Sequence, residues 1–325
     1  MARRLSFQGY DGSHPVALPG VPAPLRGEGR SHSLAQTLEI ALRRAGLPLG
    51  YNVVMGLSGL AFRTPRWPGA PEVAAEDATR AVGELSEALG QCLALTDGAG
   101  QSEDELLAAV ARAVDQGRPC VALGWGSEKH EWSIITGYDH GKRRLLGHCL
   151  LDAPREQYEA WPPALAMLVT VTGRPQPRGP EAVEAALQRG ARRLEEEAAA
   201  RYRTWIEEMR LLDDAPDAAH ELAVELWADA RAAAAEFAEE VAAYEPEVPA
   251  AWLARAAELW REVVRLLEAR GLPQSAEALE ALQTREGRGD WAELLEAAAG
   301  MEAEAASAIE RAHAVDFPPE EAAQW

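Results

Sequence analysis

Apolar positions in the first half of the chain switch between a helical and a strand period. After Ser31, His32 and Ser33, residues Leu34, Leu38, Ala41, Leu42 and Ala45 recur every three or four positions and draw one stripe along a helix. Ser31 or Ser33 supplies the N-cap, and Gly46 followed by Pro48 stops the helix. The run from Gly50 to Phe62 is apolar but broken by Gly56 and Gly59, which predicts a short helix or strand and then a tight loop. A helix is predicted over 72–89 and a strand over 91–96. Ser102, with Glu105 three residues on, forms a capping box that opens a helix reaching residue 116. The pattern then shifts to alternation, with strands predicted over 119–125, 131–138, 144–151 and 165–172. Connections this short suit antiparallel hairpins, so this part of the chain is read as α+β.

The flanks have a different texture. Residues 1–30 carry five glycines and four prolines and predict an extended lead-in. Residues 173–180 hold three prolines and read as a stiff linker. From 181 to 325 nearly everything reads as helix, over 181–212, 217–243, 249–270, 274–284 and 290–315. The breaks carry Pro216, Pro246, Pro249, Pro273 and the Gly287-Arg288-Gly289 triplet. Alanine and glutamate dominate, and Trp205, Trp227, Phe237, Tyr244, Trp252, Trp260 and Trp291 supply bulk that alanine lacks. A helical bundle follows. The expected division is a lead-in (1–30), an α+β domain (31–172), a linker (173–180) and an acidic helical domain (181–325).

Composition narrows the classes. At 47% apolar and 26% charged, the 325 residues exclude wholesale disorder and suit about two domains. No apolar run approaches the ~18–20 residues of a membrane span, and the basic start lacks the hydrophobic stretch of a secretory signal. Three scattered cysteines build neither a disulfide scaffold nor a zinc site, so a reducing cytoplasm is expected and no metal or cofactor is called for. Residues 1–172 hold 16 basic and 19 acidic side chains, which leaves −17 of the net −20 charge on the helical half. Such a field repels phosphate backbones and argues against nucleic-acid binding.

One stretch resembles a known family. The segment Gly117-Arg-Pro-Cys-Val-Ala-Leu-Gly-Trp125, followed by Glu131-Trp-Ser-Ile-Ile-Thr-Gly-Tyr-Asp139, is similar to the second half of papain-like cysteine peptidases of the bacteriocin-processing type. The segment from His32-Ser33-Leu34 to Gly56-Leu-Ser-Gly-Leu-Ala-Phe62 resembles a narrower group, the N-terminal domain of butirosin biosynthesis protein H. The resemblance covers roughly 30–172. It implies a papain-like domain, a central helix against an antiparallel sheet, with Ser33 on the nucleophile position, Glu131 on the histidine position and Asp152 on the orienting position. A papain-type mechanism needs a thiolate raised by an imidazole. Serine and glutamate do not form that couple, although His32 and His130 each lie one residue from an expected slot. A one-residue slip on a strand turns the side chain to the other face.

The remaining motifs are weaker. Ser58 in Gly56-Leu-Ser-Gly59 lacks the second glycine of a nucleophile elbow and reads as a tight loop. Cys120 reads as a core thiol and His220 as a helix packing residue. Three functions are compatible with the sequence. In the first, a catalytically inactive papain-like module binds a small molecule, a peptide or a protein through a cleft lined by His32, Ser33, Ser58, Trp125, His130, Glu131, Trp132, Tyr138 and Asp152. The second is an acyltransferase or amidohydrolase of the butirosin biosynthesis protein H kind, using Ser33 or Glu131. The third makes the helical half an interaction or oligomerisation surface, including assembly into a homo-oligomer. The first is the expectation carried forward.

Overall fold

Local chemistry sets the limits of the early helices. Helix α1 (Ser33–Arg44) buries Leu34, Leu38, Ala41 and Leu42 on one stripe. It ends where Gly46 takes φ +94° and the Leu47 N–H reaches back 3.0 Å to the Leu42 carbonyl, a turn that glycine permits. Helix α2 (Tyr51–Leu57) and a 3-10 turn (Leu60–Phe62) occupy the glycine-broken apolar run. Helix α3 (Ala75–Ala88), strand β3 (Leu93–Asp97) and helix α4 (Glu103–Asp115) follow, and the Ser102–Glu105 capping box forms in both directions. This computed structural model describes residues 3–4, 15–25, 29–67, 75–125, 131–139, 141–149, 157–160, 165–176, 179–213, 216, 218–270 and 275–314.

One antiparallel sheet joins β1 (Arg3–Arg4), β2 (Val16–Ala17), β3, β4 (Cys120–Leu123), β5 (Trp132–Asp139), β6 (Arg144–His148), β7 (Gln157–Ala160) and β8 (Met167–Val171). Its spine is β5. Ile134 and Ile135 pair with both β4 and β6, so those two strands flank opposite edges of β5. Strand β2 pairs with Gly137 and Tyr138, which β6 also meets, and therefore continues the lane of β4 along β5. Beyond β4 lie β8 and then β3; beyond β6 lies β7. Leu106, Leu107, Val110 and Val114 of α4 share a core with Cys120, Ala122, Ile135 and Leu168, while α1 contacts β4 and β5. The lead-in thus adds short strands to the sheet, and β7 appears where no strand was predicted. Two to four residues are too few to show alternation.

The second half is helical: α5 (Pro180–Arg193), a π turn (Leu194–Ala198), α6 (Ala199–Leu211), α7 (Ala218–Ala242), α8 (Glu247–Ala269), α9 (Ala276–Leu282) and α10 (Arg285–His313). Helix α8 lies against both α7 and α10, and α10 also meets α5 and α6. Trp205, Trp227, Phe237 and Trp260 fill the interior between the alanines. Tyr244, expected there too, lies past the end of α7 and is 87% exposed. The Gly287–Gly289 break does not occur. Thr284 caps α10 by accepting from the Gly287 N–H at 3.0 Å, and a Cβ on Gly287 would meet the Ala281 carbonyl oxygen at 2.1 Å. Glycine there is a close-approach residue, not a helix stop.

The chain divides into two compact units, and their boundary is not colinear with the sequence. One is Met1–Val54 with Glu72–Gly179; the other is Met55–Pro71 with Pro180–Trp325. Met55–Pro71, expected within 31–172, belongs with the helices because arginines and close-packed glycines hold it there. Arg193 and Arg201 stand eight residues apart, which in a regular helix puts them ~80° apart. The π turn between them takes up one residue, so they behave as a spacing of seven and lie within ~20° of one face. Arg193 donates to the Gly59 carbonyl at 2.7 Å and Arg201 to that of Thr64. A Cβ on Gly56 would meet the Phe237 ring at 2.3 Å, and one on Gly190 would meet the Phe62 ring at 2.5 Å. Among the described residues no helix is long and apolar enough to cross a membrane.

Candidate functional site

The first residue of α1 meets the first residue of β5. The Trp132 backbone N–H donates to Ser33 Oγ at 3.1 Å, and Ser33, Glu131 and Trp132 are all buried. Helix periodicity places Ser33 at the N-terminal turn, where the helix dipole and the free N–H groups create positive potential. No acidic side chain lies in that turn to neutralise it. Thr37 Oγ1 donates to the Ser33 carbonyl at 2.8 Å, which supports the turn from within the helix. Among the described residues, the hydrogen bond to Ser33 Oγ is the one from Trp132, and none from or to an imidazole is recorded there.

The other predicted residues fall in several places. His32 is the N-cap of α1 and is buried; its imidazole does not cap the helix, and its backbone N–H donates to Tyr51 Oη at 3.2 Å. Trp125 is fully buried in the α4 core, its carbonyl accepting from Ser133 Oγ at 3.1 Å and Cys149 Sγ at 3.8 Å. Tyr138 lies six residues along β5 from Trp132, ~20 Å at strand rise, and its hydroxyl donates to Asp115. Ser58 belongs to the helical unit, where its hydroxyl donates 3.3 Å back to the Met55 carbonyl and closes the turn after α2. His130 and Asp152 lie outside the described residues. The structure therefore gathers His32, Ser33, Glu131 and Trp132 and leaves Tyr138 at the far end of the strand.

Sequence reasoning missed the residues that hold this corner. Tyr51 receives the His32 N–H, and the Arg30 guanidinium lies 4.8 Å above the Tyr51 ring centre. Arg30 also pairs with Glu39, which is itself paired with Arg43 at 2.6 Å. Gln36 donates to the Arg30 carbonyl at 2.6 Å and accepts from the Leu25 N–H at 2.9 Å. No periodic signal marks Tyr51, because it starts one helix and touches the start of another.

Two donors, on Trp132 and Ser33, bear on what this part of the chain can bind. The indole N–H of Trp132 is buried and meets no acceptor among the described residues. Ser33 Oγ accepts from Trp132, so its own proton is available to donate. Thiol chemistry has no support from the core cysteines: burial pushes the Cys120 thiol up to about 12 and also raises that of Cys92, where a backbone hydrogen bond and Arg118 oppose the rise. Among the described residues no three histidine, cysteine or acidic side chains converge as metal ligands. Neither a protein-family model nor a curated protein matches this chain.

Proposed function

We propose that the protein is a catalytically inactive papain-like module that binds a partner through the corner where α1 meets β5. The observation that supports this reading is the 3.1 Å bond from the Trp132 N–H to Ser33 Oγ. It joins the nucleophile position of the resembled family to the strand that begins one residue after its histidine position, while serine and glutamate occupy those places. A serine hydroxyl at a helix N-terminus still needs a base to become a nucleophile, and no hydrogen bond between it and an imidazole is seen among the described residues. The Ser33 hydroxyl and the Trp132 indole N–H favour a ligand that presents an acceptor oxygen. The ligand is read as a carbonyl compound, a peptide or an acyl amide, whose oxygen accepts from such donors.

The test uses the full-length protein with a fluorophosphonate probe and a library of di- and tripeptides. The expected result is no covalent labelling, together with a rise in Tm on adding peptide that Ser33→Ala removes. Labelling that disappears in Ser33→Ala overturns the reading and favours an acyl-transferring or amide-cleaving enzyme. Absence of both labelling and peptide stabilisation also overturns it.

A further inference from the structure

We propose that Tyr51 is a positioning residue for Ser33, whose phenol oxygen fixes the first turn of α1 and so the direction of the Ser33 hydroxyl. The first turn of a helix lacks intrahelical acceptors for its N–H groups and frays unless side chains hold it. Here the His32 imidazole does not cap α1 and its first turn carries no acid, so the usual devices are missing. Among the described residues three other clips are seen there. Gln36 and Glu39, both from α1, hold the approaching chain through the Arg30 carbonyl and guanidinium. The third is Tyr51, which accepts the His32 N–H at 3.2 Å, one residue before Ser33.

Tyr51 is itself immobilised. Its ring is buried, and Arg30 stacks over it at 4.8 Å while pairing with Glu39. A hydroxyl that must accept from the Trp132 N–H and donate to a ligand tolerates displacement of only ~0.5 Å. Of the three clips, Tyr51 alone lies outside α1 and acts directly on the residue preceding Ser33. Its reach to Ser33 runs through one peptide unit, which makes it a positioning group and not a contact of the ligand.

This inference rests on the reading of Ser33 as the ligand-facing group, but its test does not depend on any ligand. In the full-length protein, Tyr51→Phe retains the ring and its contact with Arg30 and removes only the oxygen. Amide hydrogen exchange followed residue by residue is expected to quicken roughly three- to tenfold at His32 and also at Trp132, which Tyr51 does not touch. Ser33→Ala serves as the reference, quickening Trp132 and leaving His32 unchanged. Tyr51→Phe quickening His32 alone, or neither amide, overturns the inference. Covalent labelling of Ser33 by the fluorophosphonate would overturn the binding reading while leaving the exchange result to stand or fall by itself.

Discussion

Every N–H of the Arg231 guanidinium in the helical unit is matched, whereas the Trp132 indole N–H in the sheet-bearing unit meets no acceptor among the described residues. The five N–H positions of the fully buried Arg231 go to Glu302 twice, to the Ala61 and Arg63 carbonyls at 2.9 and 3.0 Å, and to Thr64 Oγ1 at 3.0 Å. Trp227 adds its indole N–H to Glu302 at 3.0 Å. Burial works against the Arg231 charge, yet Glu302 outweighs it and holds the guanidinium above its usual value. Burial, with Glu302, pushes the neighbouring Tyr202 phenol well up, which keeps it neutral. Among the described residues, by contrast, the Trp132 indole N–H meets no acceptor and the Ser33 hydroxyl proton has no recorded acceptor. A guanidinium with every donor matched fixes structure, and the donors of Ser33 and Trp132 are those that the proposed binding would use.

The largest test breaks the saturated side. Arg231→Met strands the Glu302 carboxylate in the bundle and is expected to cost about 3–5 kcal/mol in urea unfolding. Removing both charges in Arg231→Met with Glu302→Leu is expected to recover most of that loss. Equal losses in the single and double variants would mean that the pair is not what holds the segment 61–64.

The next test asks how dry the sheet-bearing core is. A thiol whose folded pKa is raised contributes stability present below its ordinary value near 9 and lost as pH rises through about 12. Between pH 9 and 11 the wild type is therefore expected to lose ~2–3 kcal/mol relative to Cys120→Ala. Parallel pH profiles would show that water reaches β4.

The smallest test compares glycines within the helical unit. Gly56→Ala drives a Cβ into the Phe237 ring and is expected to cost about 1–3 kcal/mol. Gly300→Ala, on an exposed turn of α10 with nothing within 4 Å, is expected to gain up to ~1 kcal/mol from helix propensity. Thermal unfolding that ranks the two variants the other way would remove the reason for placing Met55–Pro71 with the helices.

Much of the first half was legible because its signals are local. The α1 stripe, the Ser102–Glu105 box and each of the hairpin strands lie within a dozen residues, where periodicity and capping act. The acidic helices were legible for the same reason, apart from the start of α10, where a glycine needed for close approach has the same letter as one that ends a helix. The pairing of Ser33 with Trp132 was anticipated only through the resemblance. The two are 99 positions apart, and no pattern within either segment points to the other.

The amino-acid sequence by itself determined the longer helices and the main strands, because those choices depend on neighbours along the chain. Only the tertiary structure decided that Met55–Pro71 joins helices that start at Pro180, and that Arg231 finds Glu302 across 71 residues. It also decided that Tyr51 takes the His32 N–H. These are choices of partner, made when buried polar groups must find acceptors and donors in space, and the chain carries no local mark of which partner will arrive.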